Sequence, residues 1–538
     1  MRRINVLIAA TVLLLPVGTQ ALADIGMSRS SRPHLEVARG GGDGTVGSAA
    51  ARALRDGYLV PNLDAYEQAK TAAATRVGPP ATNAPQGAAA PSAVVTWKGL
   101  ANAGVTPSDS TGAIGNTRYI EAVNAKVGIY DRTATLINSD SLSSWWQEAG
   151  NNNFDPQIMW DARTKRFYYA GDSVASSLDN RLAFGFSKSA SPNNATTDWC
   201  HYEVGFGGDF PDYPKLGDSR DFSLIGVNVF TGNSFTGSDI VAIGKPTGTS
   251  AITTCPGAMT FSFGIGRDIT TWNGITPAFT PVPATEVDSN GTGYVVARPS
   301  SVPASSLTIL EVTKNLDGTP NIETTGTSVS VPSYSIPLSA PQSGTNRTID
   351  TLDTRPTQAV AAVDPSNGGT FTLWTQHTVR GGAGAEVRWY EINPATATLL
   401  QSGKVTSSTL FSFNGAISPD RMVNGTTKAF GSDMVLGFNT SSSTTFPTIK
   451  MVSKLAGSAQ SAPVKVKGSP GFDVDFNCAG STAVCRWGDY AAATPDPAAP
   501  AGGATGVVWL SNMWNKDGST INPSTGTAWQ TWNWSANP

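Results

Sequence analysis

The chain has 538 residues, 37 basic and 40 acidic, for a formal net charge of −3, and only 14% of its residues are charged. No Lys/Arg stripe stands out along it, which argues against nucleic acid or an anionic membrane surface as a partner. Low charge beside abundant Ser, Thr, Gly, Ala and Asn suits an exported β-protein.

Arg2 and Arg3, the apolar stretch from Val6 to Val17, and Ala21-Leu22-Ala23 read as a secretory signal peptide over residues 1–23, cut near Ala23. The apolar run is shorter than a bilayer span, and no later segment is long and apolar enough for one, so the mature chain is expected to be secreted, extracellular or periplasmic. Residues 24–95 contain no tryptophan or cysteine and include the Ala/Pro stretch from Pro79, so they read as a mostly disordered lead-in. Within it, Asp64 to Arg76 has the pattern of a short helix.

From 96 to 538 the pattern is all-β. Short aromatic or β-branched runs such as KVGIYD, RFYYAG, TFTLWTQHTV, EVRWYEI and GVVWLSNMW alternate with Gly, Asn, Asp and Pro clusters. One phrase recurs, as FDPQIMWDARTKRFYYA from Phe154, FPDYPKLGDSRDFSLIGVNVF from Phe210, the stretch from Arg355 and the stretch from Arg486. Recurrence at long period signals a repeat architecture. Innermost strands placed near Tyr119, Gln157, Tyr213, Arg298, Gln358, Ile417 and Gly488 give seven units, each long enough for a four-stranded β-propeller blade with its loops. The spacing allows six to eight blades, and a long loop is expected around Arg267 to Asp288. A monomer is expected.

Four cysteines in an exported chain imply two disulfides. Cys478 and Cys485 should staple a local loop, leaving Cys200 with Cys255 to tie consecutive repeats. The three histidines, His34, His201 and His377, are too scattered for a zinc site, and no metal or cofactor is expected. Asp473-Val474-Asp475 could ligate Ca²⁺, but the EF-hand pattern is absent and alternating Asp more often marks a solvated face, so structural calcium has no support.

The stretch PSDSTGAIGNTRYIEAVNAKVGIYDR from Pro107, with DPQIMWD, RFYYA, FPDYPKLG, VRWYEI and RWGDYAAATPDP, resembles a group of uncharacterised secreted bacterial β-propeller proteins, related in architecture to sialidase-like propellers. Ser110, Thr111 and Arg118 depart from that pattern. The resemblance implies the fold more than the function.

A sialidase-like site would need an arginine cluster for a carboxylate, a tyrosine nucleophile and an acid. Arg298, Arg355, Arg486, Asp489 and Tyr490 are the candidates, with Asp353 available as an acid. Each arginine also begins a strand, where it can simply brace a neighbouring aspartate. Asp109, Asp212, Tyr213, Asp353 and His377 are candidates for a ligand-facing rim, although His377 also fits a packed position. Ser366 to Phe371 is a faint echo of an Asp-box and equally a good hairpin turn. Trp145, Trp146, Trp509, Trp514, Trp529, Trp532 and Trp534 fit either a sugar-stacking surface or blade-to-blade packing. The expectation is therefore a binding or adhesion module for a glycan or an extracellular protein at a channel mouth. A sialidase-like glycoside hydrolase is the alternative.

Overall fold

In a computed structural model, residues 34–37, 60–61, 66–71, 89–101, 104–478, 484–500, 502–517 and 529–538 are described. The expected signal peptide, residues 1–23, lies outside them. Alternating apolar and polar residues, turned by Gly, Asn and Asp at positive φ, build nine sheets among the described residues, seven of them mainly antiparallel sheets of four or five strands that follow one another along the chain. Their innermost strands are Thr111–Ile114, Asn152–Asp161, Asp209–Asp218, Ala278–Pro283, Pro356–Asp364, Phe411–Pro419 and Ala492–Pro495. Each packs against the next, and the seventh packs against the first, so the ring closes as a seven-bladed β-propeller.

Blade seven closes the ring with strands from both ends of the chain. Ser92–Lys98 pairs antiparallel with Trp529–Asn537, in a register that sets Ala93 opposite Ala536 and Lys98 opposite Trp532. The propeller therefore begins at residue 92, not 96, because this outer strand crosses the expected boundary. Two further pieces of the expected lead-in are ordered against the ring. His34–Val37 adds a fifth strand to blade two beside Trp199–Gly207. Residues 66–71 form a helix within the stretch where one was expected.

Two innermost strands differ from the expected positions. Tyr119 lies on the second strand of blade one, because the inner strand is the four-residue TGAI run before it. Arg298 lies on the second strand of blade four, Gly293–Pro299. The inner strand of that blade, AFTPVP, lies inside the stretch expected to be a loop. Its two prolines disguise a strand whose channel-side edge needs no ladder partner.

Apolar faces of adjacent blades interlock to form the core. Trp145 and Trp146 are fully buried between blades one and two, with Tyr169 stacked on Trp146 and Trp199 edge-on to Trp145. Trp509, Trp514, Trp529 and Trp534 are also buried, and partly buried Trp532 packs edge-on against Trp514. These side chains serve packing. Both disulfides form as spaced: Cys200–Cys255 links blades two and three, and Cys478–Cys485 closes a local loop. Asp364 and the Gly368-Gly369 pair, at φ 66° and 75°, make Ser366 to Phe371 a hairpin turn. Asp473 and Asp475 are buried, not solvated as alternating aspartates usually are, because they lie beneath the Gln342 side chain and beside Thr106.

Candidate functional site

A second repeat lies inside the first. In blades two, three, four and six the inner strand carries Asp155-Pro156, Tyr213-Pro214, Thr280-Pro281 and Asn414-Gly415. The first residue of each pair is left-handed, with φ of 52°, 59°, 55° and 49°. At each pair the ladder slips: Phe154 faces Asp172 but Gln157 faces Ala170, and the same jump separates Asp212 from Lys215, Phe279 from Val282 and Phe413 from Ala416. These are β-bulges, and Pro suits the slot because the bulge leaves its position without a ladder bond. Asparagines from the preceding blade hold two of them. Asn124 Oδ1 accepts from the Asp155 N–H at 2.8 Å, and Asn228 Oδ1 accepts from the Thr280 N–H at 2.8 Å.

The bulges and the turns that begin the strands gather charge at one end of the channel. Asp353 is shared by two arginines: Arg298 Nη2 donates to its Oδ2 at 2.9 Å, and Arg355 Nε donates to its Oδ1 at 2.8 Å. Arg486 Nη2 donates to Asp489 Oδ2 at 2.7 Å. Asp109 accepts from the Asp489 N–H and from Asn124 Nδ2, both at 2.7 Å, so blade one is tied to blade seven. The Arg355 guanidinium lies 4.5 Å over the Tyr213 ring. Lys215 Nζ sits between two aromatic faces, 4.0 Å from the Tyr213 centroid and 3.2 Å from that of Tyr490.

All of these groups are buried. Burial, with mutual repulsion, pushes Asp109, Asp155, Asp212 and Asp489 up to about 7. Asp353 goes the other way, to about 2, because Arg355 and Arg298 overcome its desolvation. Burial lowers the Lys215 amine and raises the Tyr213 and Tyr490 phenols.

The structure thus brings Arg298, Arg355, Arg486, Asp489, Tyr490, Asp109, Asp212, Tyr213 and Asp353 into one continuous cluster. Its geometry is that of a brace. Each arginine holds an aspartate, the Tyr490 hydroxyl donates to the Pro156 carbonyl at 3.0 Å, and the Tyr213 hydroxyl donates to the Asp489 carbonyl at 2.9 Å. His377 is buried inside blade five, beside the turn that carries Asp353 and Arg355. Its Nδ1 donates to the Thr354 carbonyl at 2.9 Å, its Nε2 accepts from the Tyr390 hydroxyl at 3.0 Å, and burial pushes it down to about 3. His201 bonds the Tyr169 hydroxyl at 2.8 Å. Among the described residues no group of three or more His, Cys, Asp or Glu is arranged to hold a metal ion.

The inner strands continue past the cluster along a concave pocket, or funnel, of about 60 Å³. Gln157, Trp160, Glu286, Gln358, Arg421 and Thr494 contribute to its wall. Arg421 is fixed by a two-pronged pair with Asp288, at 2.7 and 3.1 Å. Three wall atoms are buried without a hydrogen-bond partner among the described residues: Trp160 Nε1, Glu286 Oε1 and Gln358 Oε1. Burial and the nearby Asp218 push Glu286 up to about 9, so it is a neutral donor at pH 7. None of these three was evident from the sequence, since being unpartnered depends on packing. The doublets Phe-Asp-Pro, Asp-Tyr-Pro, Phe-Thr-Pro and Phe-Asn-Gly, once aligned, would have located Gln157 and Lys215 just after the bulge.

No protein-family model matches the chain, and no curated protein matches its sequence. Solved structures with a similar chain path include an ACO/RPE65 chimera, at 12% identity over 67% of this chain and 71% of that one, with a TM-score of 0.36. Parainfluenza virus 5 hemagglutinin-neuraminidase with the ligand DANA aligns at 12% identity over 70% and 94%, with a TM-score of 0.35. The exo-β-1,3-galactanase of Phanerochaete chrysosporium with galactose aligns at 9% identity over 82% and 100%, with a TM-score of 0.27. At these identities the likeness is one of chain path alone.

Proposed function

We propose that this chain is an exported binding module that takes a glycan in the funnel of its channel. The observation that carries the reading is that Trp160, Glu286 and Gln358 line one concave site and each holds a buried polar atom without a partner among the described residues. A buried polar atom left unpaired costs about 1–3 kcal/mol, which a ligand hydroxyl would recover. A mostly preformed cavity with one tryptophan, Trp160, and a few polar groups in its wall suits a neutral, hydroxyl-rich ligand. The two disulfides fit an oxidising compartment. Titration calorimetry against a panel of neutral oligosaccharides, chosen from a glycan array, tests the reading. At least one glycan should bind, and Gln358→Ala should weaken it about tenfold, the loss of one good hydrogen bond. Absence of binding across the array, or binding indifferent to both Gln358→Ala and Glu286→Ala, would remove the funnel as the site.

A sialidase-like hydrolase is the second reading, favoured by the convergence of Arg298, Arg355, Arg486, Asp489 and Tyr490 at one end of the channel. Against it stand their burial and mutual pairing. Turnover of fluorogenic sialosides that is abolished by Arg355→Ala in a folded variant would raise this reading above the first.

A further inference from the structure

The charged end of the channel is covered by the chain's own lead-in. Val60, Pro61, Tyr66 and Ala69 form one wall of a cavity whose other wall includes Arg298, Asp353 and Ile336. Val60 is buried there, although it precedes the propeller by more than a strand's length. Residues 66–71 are helical, and this puts Tyr66 and Lys70 one turn apart, with the Lys70 ammonium 5.5 Å from the Tyr66 ring centroid.

Lys70 is the anchor. Its Nζ donates to the Leu352 carbonyl at 3.2 Å and to Thr351 Oγ1 at 3.5 Å, and it lies 3.7 Å from Asp350 Oδ1. Its side chain is 15% exposed. A carbonyl, a hydroxyl and a carboxylate around one ammonium make a complete three-acceptor seat for a primary amine. The seat belongs to the propeller: residues 350–352 lead directly into Asp353 and Arg355 at the start of the blade-five inner strand. Leu352 and Thr354 are both left-handed, with φ of 65° and 77°, so the turn that presents the carbonyl is shaped on its own side of the contact.

We propose that this mouth is a docking site for a peptide segment bearing a tyrosine and a lysine one helical turn apart, and that residues 60–61 and 66–71 fill it in cis as a displaceable plug over the charge cluster. The covalent link to the closing strand of blade seven keeps the plug at high local concentration. A second segment of the same chemistry enters only when the tethered one is weakened.

The experiment uses the full chain. A fluorescein-labelled peptide of residues 58–71 is titrated against the wild-type protein and against Lys70→Glu, which sets two carboxylates against each other in the seat. The labelled peptide should bind the variant at least tenfold more tightly than the wild type, and a peptide carrying the same Lys70→Glu change should bind neither. Backbone amides at residues 350–355 should exchange with deuterium at least tenfold faster in the variant, with the melting temperature of the propeller unchanged. Equal binding to the two proteins, absence of binding to both, or unchanged exchange would overturn the proposal. If Lys70→Glu lowers the melting temperature, Tyr66→Glu is judged by the same two measurements and the same outcomes.

Discussion

The two ends of the channel solve the problem of buried polarity in opposite ways. At the charged end, Asp353 is held by Arg298 and Arg355, Asp489 by Arg486, and Asp109 by an amide of blade seven. The Arg298–Asp353 pair and the Asp489 amide on Asp109 join different blades, Arg355 and Arg486 hold aspartates of their own turns, and Lys215 Nζ and Asp212 Oδ2 stay without a hydrogen-bond partner among the described residues. At the funnel, Trp160, Glu286 and Gln358 each keep a polar atom that the protein itself leaves unpaired. A site dominated by paired charges holds a ring together, whereas unpartnered groups in the wall of a cavity can take a ligand. The residues that looked most chemical in the sequence belong to the first kind.

That contrast can be broken by experiment. The largest effect is expected from Asp353→Ala, which leaves two buried guanidinium groups without their shared carboxylate. It should cost about 3–5 kcal/mol of stability in a urea melt while leaving glycan affinity at the funnel unchanged. A similar loss of affinity would mean that the two ends act as one site.

The pH dependence of stability comes next. Asp109, Asp155, Asp212 and Asp489 are raised from 3.8 to about 7 in the folded state, so over that window the native protein holds more protons than the unfolded chain. The stabilisation from these groups is full below pH 4 and is lost as pH rises through 7. Asp353, lowered to about 2, works in the other direction: its contribution is present above 3.8 and is lost as pH falls through 2. The melting temperature should therefore be higher at pH 5 than at pH 8, and Asp212→Asn should shrink the difference. A melting temperature that climbs steadily to pH 8 would show that the aspartates are ionised at little cost.

At the funnel, Gln358→Ala should reduce glycan affinity about tenfold and cost about 1 kcal/mol of stability, because the amide that leaves Oε1 unpaired also donates from Nε2 to the Ala493 carbonyl. The smallest effect is expected on the outer surface, where Lys314 pairs with Asp221 at 3.1 Å with both side chains partly exposed. Lys314→Ala should change stability by less than about 1 kcal/mol. A larger loss there would mean that charge pairing on the rim matters as much as pairing in the channel.

The fold was largely legible in the sequence because its signals are local. Aromatic alternation marks strands such as Thr370–Val379, and turn residues such as Gly368-Gly369 mark the hairpins. The two misplaced inner strands fail on the same ground. TGAI is too short to show alternation, and AFTPVP carries prolines that only a bulged, channel-facing strand accepts. Most of the charged cluster is legible in the sequence because its arginines, acids and tyrosines stand in or beside the recurring strand-and-turn phrase. The bracing pair Arg486–Asp489 is legible in RWGDY, whereas whether Arg355 is available to a ligand depends on Asp353 and on the neighbouring blades. Lys70 lay in a segment whose composition cannot build a core, and such a segment takes shape only by docking on a surface that other residues have built.

The pairing of Ser92–Lys98 with Trp529–Asn537 has a consequence for how the molecule is made. The first strand of the ring to leave the ribosome is the last to find its neighbour, since more than four hundred residues separate the partners. Until then the seventh sheet lacks an edge and the chain cannot lock as a circle. Such a long-range final contact favours slow completion and a transiently exposed edge. Loss of the last nine residues would therefore do more than shorten one strand: it would leave an open arc of blades in need of a chaperone.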